Sequence, residues 1–216
     1  MKFLKISGMI SLIFLVFFNS GIPSSALTAD SFSHQGKYHL SSGKPTPQIK
    51  RVSANPNHLY RYPYKQMFLR SAGIVRYAGG KYVPAADRLI RLLIANTFDF
   101  AVDASPAYTE LDPCGGRIIY LSKQQFFNYD SPEKMTTNTA VYLASTLVHE
   151  LVHYDQPGDI FNADEEIKEP PACKEELKFL QALIVNHKVD PQVRSEAARL
   201  YKSDKEEFTS KGFIKP

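Results

Sequence analysis

The stretch TLVHELVHYDQ, residues 146–156, gathers His149, Glu150 and His153 in a chain that has only six histidines. Two imidazoles at i and i+4 on a helix hang from one face with Cβ atoms about 5–6 Å apart, close enough to share one ion. Glu150 is turned by about 100° from His149, so its carboxylate hangs beside such an ion and can handle a proton without ligating it. The chemistry this suits is hydrolysis, in which a metal activates water and a carboxylate moves the proton. The competing reading keeps both histidines as hydrogen-bonded members of a buried helix. A glutamate between them, with the small residues Ser145 and Thr146 on the same face, favours the metal.

A catalytic zinc takes three protein ligands and leaves a fourth position open. The elongated signature HExxHxxGxxH is excluded, because YDQPGD follows His153. The segment CKEELKFLQALIVNHK reads as a helix, and Cys173, Glu176, Leu177, Leu180, Leu183 and Ile184 recur at three and four, which places Glu176 on the inward face. A carboxylate buried in an apolar stripe costs several kcal/mol unless a cation stands beside it. Glu176 is therefore the expected third ligand, with Glu175 and Glu169 as alternatives and Asp164 behind them. Cys173 shares the inward face and would make a thiolate site instead.

With these residues in place, the chain resembles the zincin metallopeptidases, specifically the gluzincin group, which combine HExxH on one helix with a glutamate on a later one. The matching positions are His149, Glu150, His153 and Glu176, and the run from Glu176 to Gln181 is similar to the group's E-A-x-x-x-Q pattern, from which Leu177 departs. The resemblance covers residues 115–187. It implies a zinc-dependent peptidase: zinc lowers the pKa of its water to about 7, Glu150 takes the proton, hydroxide attacks the carbonyl, and Glu150 returns the proton to the leaving amine. It also implies that the strand before the active helix, GGRIIYLS, pairs with an extended peptide substrate. For the oxyanion, His187, Tyr154 and Tyr201 are available and none ranks above the others. The alternative is a secreted or envelope-associated protein that binds zinc without turnover.

These residues need elements to hold them. TNTAVYLASTLVHELVHY reads as a helix apolar on most sides, hence buried, with Asp130, Ser131 and Pro132 as its start signals and Pro157-Gly158 as its stop. DIFNADEEIKE reads as an acidic loop, Pro170-Pro171 as the start of the next helix, and Asp190-Pro191 as the start of another. Upstream, GGRIIYLS (115–122) is a strand and PAADRLIRLLIANTF a helix. IVRYAGGKYV reads as two short strands about Gly79-Gly80, and HLYRYPYKQMF as an extended segment with Tyr60, Tyr62 and Tyr64 on one side. The fold class expected is α+β, helix-dominant, as one zincin-like domain over residues 58–216.

Residues 1–26 open with Lys2 and Lys5, run through an apolar block from Met9 to Phe18, and finish on Ser24, Ser25 and Ala26. That is the pattern of a secretory signal peptide, short of the ~20 apolar residues that span a membrane. The mature chain is then expected to be secreted or periplasmic, where Cys114 and Cys173 would pair and close a loop worth roughly 4 kcal/mol. Residues 27–57 form a polar arm rich in Ser, Pro and Gly, with His34, His39 and then His58 as surface residues. A net charge of +4 does not argue for nucleic acid. Its distribution is uneven: residues 27–91 hold 11 Lys or Arg against Asp30 and Asp87, while residues 92–216 are acidic. The partners expected are a peptide or protein substrate and, through the basic arm, an acidic envelope surface.

Overall fold

The structure, a computed structural model, describes residue 59 and residues 61–101, 105–112 and 116–215. The segments expected to be a signal peptide (1–26) and an arm (27–57), with His34, His39, His58, Tyr60 and Cys114, lie outside the described residues. Two helices come first, α1 (Tyr64–Tyr77) and α2 (Tyr82–Ile94). They replace the β-hairpin expected about Gly79-Gly80. The glycines do turn the chain, with φ of 75° and 51°, but left-handed glycines end a helix as readily as they join strands. What decides the element is the burial of Met67, Phe68, Ser71, Ala72 and Val75. Their spacing of three and four is helical, and Tyr64 opens that helix rather than lying on an extended segment.

Three strands follow: β1 (Phe98–Ala101), β2 (Ala107–Leu111) and β3 (Arg117–Ser122). The sheet order is β1-β3-β2, with β3 parallel to β1 and antiparallel to β2. Only β3 was expected. FDFA and AYTEL are too short to show a period, and β1 is held by packing, with the Phe98 ring 4.8 Å from Phe68.

After a short helix, α3 (Lys123–Phe126), and a 3-10 turn over Pro132–Lys134 comes α4 (Thr137–Asp155). Asp130, Ser131 and Pro132 serve that 3-10 turn, not α4. The cap of α4 is Thr136, whose hydroxyl accepts from Thr139 N at 3.1 Å. Ala140, Val141, Leu143, Ala144, Leu147, Val148 and Leu151 are all buried, so α4 is covered on most sides, as its composition required. It packs against α1, the sheet, and two later helices, α6 (Glu165–Val185) and α7 (Pro191–Ser210).

Between α4 and α6 the expected acidic loop contains a single-turn helix, α5 (Gly158–Phe161), and its EEIKE segment is already part of α6. Pro170 and Pro171 thus lie inside α6 rather than at its start. The carbonyls they leave without a helical donor belong to Glu166 and Ile167, both exposed, where water can replace the missing N–H. Asp190 caps α7 as expected, its carboxylate accepting from Gln192 N at 2.7 Å. The architecture is α+β and helix-dominant. Cys173 is a buried thiol with no partner among the described residues, and Cys114, the expected other half of the bridge, lies outside them.

Candidate metal centre

Two of the residues that α4 buries are ionisable, Glu150 and His153, 4% and 6% exposed. Helical spacing stacks His149 and His153 on one face, where their Nε2 atoms approach to 3.0 Å. The N-terminal turns of α6 cross that face and bring Glu169 Oε2 to 3.3 Å from His149 Nε2 and 3.4 Å from His153 Nε2. His149, His153 and Glu169 form a group of donors able to hold a metal ion.

The outer nitrogens are engaged too. His149 Nδ1 lies 2.9 Å from Glu176 Oε2, and His153 Nδ1 lies 3.0 Å from Gln156 Oε1. Both partners accept, so each Nδ1 carries the hydrogen and each neutral ring turns its lone pair out at Nε2. Two imidazole lone pairs and a carboxylate then point at one another, an arrangement that is repulsive until a cation stands among them. A proton can answer it as well as a metal. Burial works against charge on His149, but its hydrogen bonds to Glu169 and Glu176 outweigh burial and hold its pKa well above the usual value. For Glu169, burial pushes the carboxyl up, and the two histidines together outweigh it and hold it far below the usual range.

A zinc ion fits this donor set. Bonds of 2.0–2.1 Å in a tetrahedron put ligand atoms about 3.3–3.4 Å apart. The three separations here are 3.0, 3.3 and 3.4 Å.

Glu176 is inward and buried, as its periodicity required, yet it meets His149 on the ring nitrogen that faces away from the other donors. Glu169 takes the position expected of it. The reason lies in the start of α6. Because the helix begins at Glu165, Glu169 shares a face with Cys173 and Glu176, two turns or about 10.5 Å from the latter. The imidazole of His149 sits between the two carboxylates and meets one with each nitrogen. Glu175 pairs instead with Lys81 at 2.5 Å, and Asp164 is the exposed N-cap of α6. Burial, with Glu176 and Glu169 beside it, pushes the Cys173 thiol far up, which disfavours a thiolate ligand.

Glu150 projects toward the sheet, where Thr109 Oγ1 on β2 donates to its Oε2 at 2.7 Å. Burial raises the Glu150 carboxyl above its ordinary pKa, against the pull of His153, His149 and the Thr109 bond. Arg117, the first residue of β3, donates to the carbonyls of His153 at 2.9 Å and Tyr154 at 2.6 Å and lies over the Phe161 ring. It satisfies the carboxyl end of α4 just where the second histidine sits. His187 accepts from Arg194 at 3.2 Å beyond the end of α6, and Tyr154 lies under the Arg88 guanidinium. Neither belongs to the donor group.

Two residues of the site carried no strong signal in the sequence. Thr109 depends on a strand that periodicity does not reveal. Gln156 was findable, as a polar residue one turn after His153 and just before a proline. Compared with family models, curated proteins and solved structures, the chain matches none.

Proposed function

We propose that the chain is a zinc-dependent peptidase of the zincin type, acting outside the cytoplasm, with His149, His153 and Glu169 as metal ligands and Glu150 as the proton carrier. The observation that carries this reading is the convergence of three lone-pair donors whose outer partners are already in place, one residue from a buried, singly anchored carboxylate. Bound there, zinc would supply a Lewis acid for the scissile carbonyl and a lowered pKa for water. Glu150 has one oxygen held by Thr109, which leaves the other to accept a proton from water and return it to the leaving amine. Its raised pKa makes it a stronger base for that task than a solvated glutamate.

The strand that would bind substrate is β2, not β3. β3 has a neighbour on each side, so it has no edge to offer an extended peptide. In the β2–β3 ladder, Ser122 N bonds to Pro106 O and Asp112 N to Gly116 O. Alternation along an antiparallel pair then turns the main-chain N–H and C=O of Thr109 and Leu111 away from β3. A peptide adding there lies beside the hydroxyl that anchors Glu150.

The test is zinc content by elemental analysis, followed by digestion of a peptide library with Glu150→Gln as control. About one zinc per chain and cleavage that Glu150→Gln abolishes support the reading. Zinc without cleavage would leave a metal-binding protein that does not turn over, and no zinc under saturating supply would leave a histidine-bearing core helix.

A further inference from the structure

The third ligand and the histidines belong to different helices, and 15 residues separate His153 from Glu169 in the chain. Something has to fix that spacing, because donor atoms must be held within about 0.5 Å for a rigid site. Three side chains reach across the gap near the metal position. Glu176, itself on α6, ties that helix to His149 two turns beyond Glu169, and Arg117 bonds the carboxyl end of α4. Gln156 is the one of the three that joins the histidine helix to the residue directly before Glu169.

Its Oε1 lies 3.0 Å from His153 Nδ1, and its Nε2 donates to Lys168 O at 2.6 Å. Lys168 directly precedes Glu169. The second bond fixes the first: only the amide nitrogen can donate to a carbonyl, so the amide oxygen must face the ring, and the ring must carry its hydrogen at Nδ1. One planar amide thereby sets the tautomer of His153 and the position of the backbone that carries Glu169. Gln156 is 7% exposed, so water does not readily replace either bond. Resting on the metal reading above, we infer that Gln156 is a positioning residue that holds the Glu169-bearing turn of α6 at ligand distance from His153.

A purely orienting partner of His153 would act on the ring alone. The clamp predicts more: loss of Gln156 should mimic, in part, loss of Glu169. The experiment uses the full chain loaded with zinc or cobalt(II), comparing wild type, Gln156→Leu, Glu169→Gln and the double variant. Gln156→Leu should weaken zinc binding by about 10- to 100-fold in a competition titration. The visible absorption of its cobalt form should move toward that of Glu169→Gln, and the effect of Gln156→Leu should shrink in the Glu169→Gln background.

Circular dichroism of the metal-free proteins checks the fold. Should Gln156→Leu fail to fold, Gln156→Met, close to glutamine in length and volume, carries the same comparison. Wild type that takes up neither metal defeats the metal reading and this inference with it. Wild type that binds, beside a Gln156 variant with affinity within about twofold and an unchanged cobalt spectrum, overturns the clamp alone. Equal losses in both backgrounds would also overturn it, by reducing Gln156 to a partner of the ring.

Discussion

Each imidazole in the centre has two nitrogens, and the division of labour between them decides which glutamate is a ligand. Glu176 and Glu169 both contact His149, at Nδ1 and Nε2 respectively, but only Nε2 is shared with His153. Removing them should therefore have different consequences. Glu169→Gln should weaken zinc enough that it is lost on dialysis yet still binds from excess metal, whereas Glu176→Gln should keep about one zinc per chain through dialysis and lower affinity by about 10- to 100-fold. Elemental analysis after dialysis, with a competition titration, reads both. The opposite result would return Glu176 to the first coordination shell. Glu150→Gln should retain zinc and lose about 100-fold or more in turnover, since it removes only the proton carrier.

At the scale of elements, the site depends on where two helices start. α4 is positioned by burial along most of its length, so its own cap matters for stability and not for chemistry. Thr136→Ala should cost about 1 kcal/mol in urea unfolding and leave zinc affinity unchanged. A change in zinc affinity would mean that the helix end and the histidines about four turns on are coupled. For α6 the start matters chemically. A helix beginning at Pro170 would leave Glu169 outside any regular element, and it is the extra turn from Glu165 that aims it at the histidines. The sheet matters through its order as much as its strands. GGRIIYLS is recognisable as a strand from its β-branched run, but its neighbours come from segments remote enough in sequence, or short enough, that pairing alone makes them strands.

Across the whole molecule, α6 and α7 enclose a small second cluster of Cys173, Leu177 and Phe208, and acid groups line the space near it. Asp204 Oδ2 is buried there with no hydrogen-bond partner. Burial, then Glu176 and Glu207, push its carboxyl up to about 8, against Arg199 and His149. An unfolded aspartate titrates at about 3.9. Between these values the folded protein holds a proton that the unfolded chain has released, so stability is full below about pH 4 and is lost as pH rises toward 8. Asp204→Asn should remove that slope, stabilising the metal-free protein by several kcal/mol at pH 8 and leaving it nearly unchanged at pH 4. Melts across this range check it, and a wild type whose stability does not fall with pH would contradict the assignment.

The sequence alone determined what short-range chemistry determines. HELVH specifies two imidazoles on one helical face, the apolar run around it specifies a buried helix, and the three-and-four spacing of Cys173, Glu176, Leu180 and Leu183 specifies an inward glutamate, all because helix geometry relates neighbours within two turns. The glycine pair marked a turn without revealing its flanks, since φ above zero serves α and β connections alike. Only the tertiary structure decided that β3 lies inside the sheet, that Glu169 and not Glu176 meets both Nε2 atoms, and that Gln156 and Thr109 stand behind the site. Those are relations between elements, and they depend on distances across the core that no periodicity along one chain segment encodes.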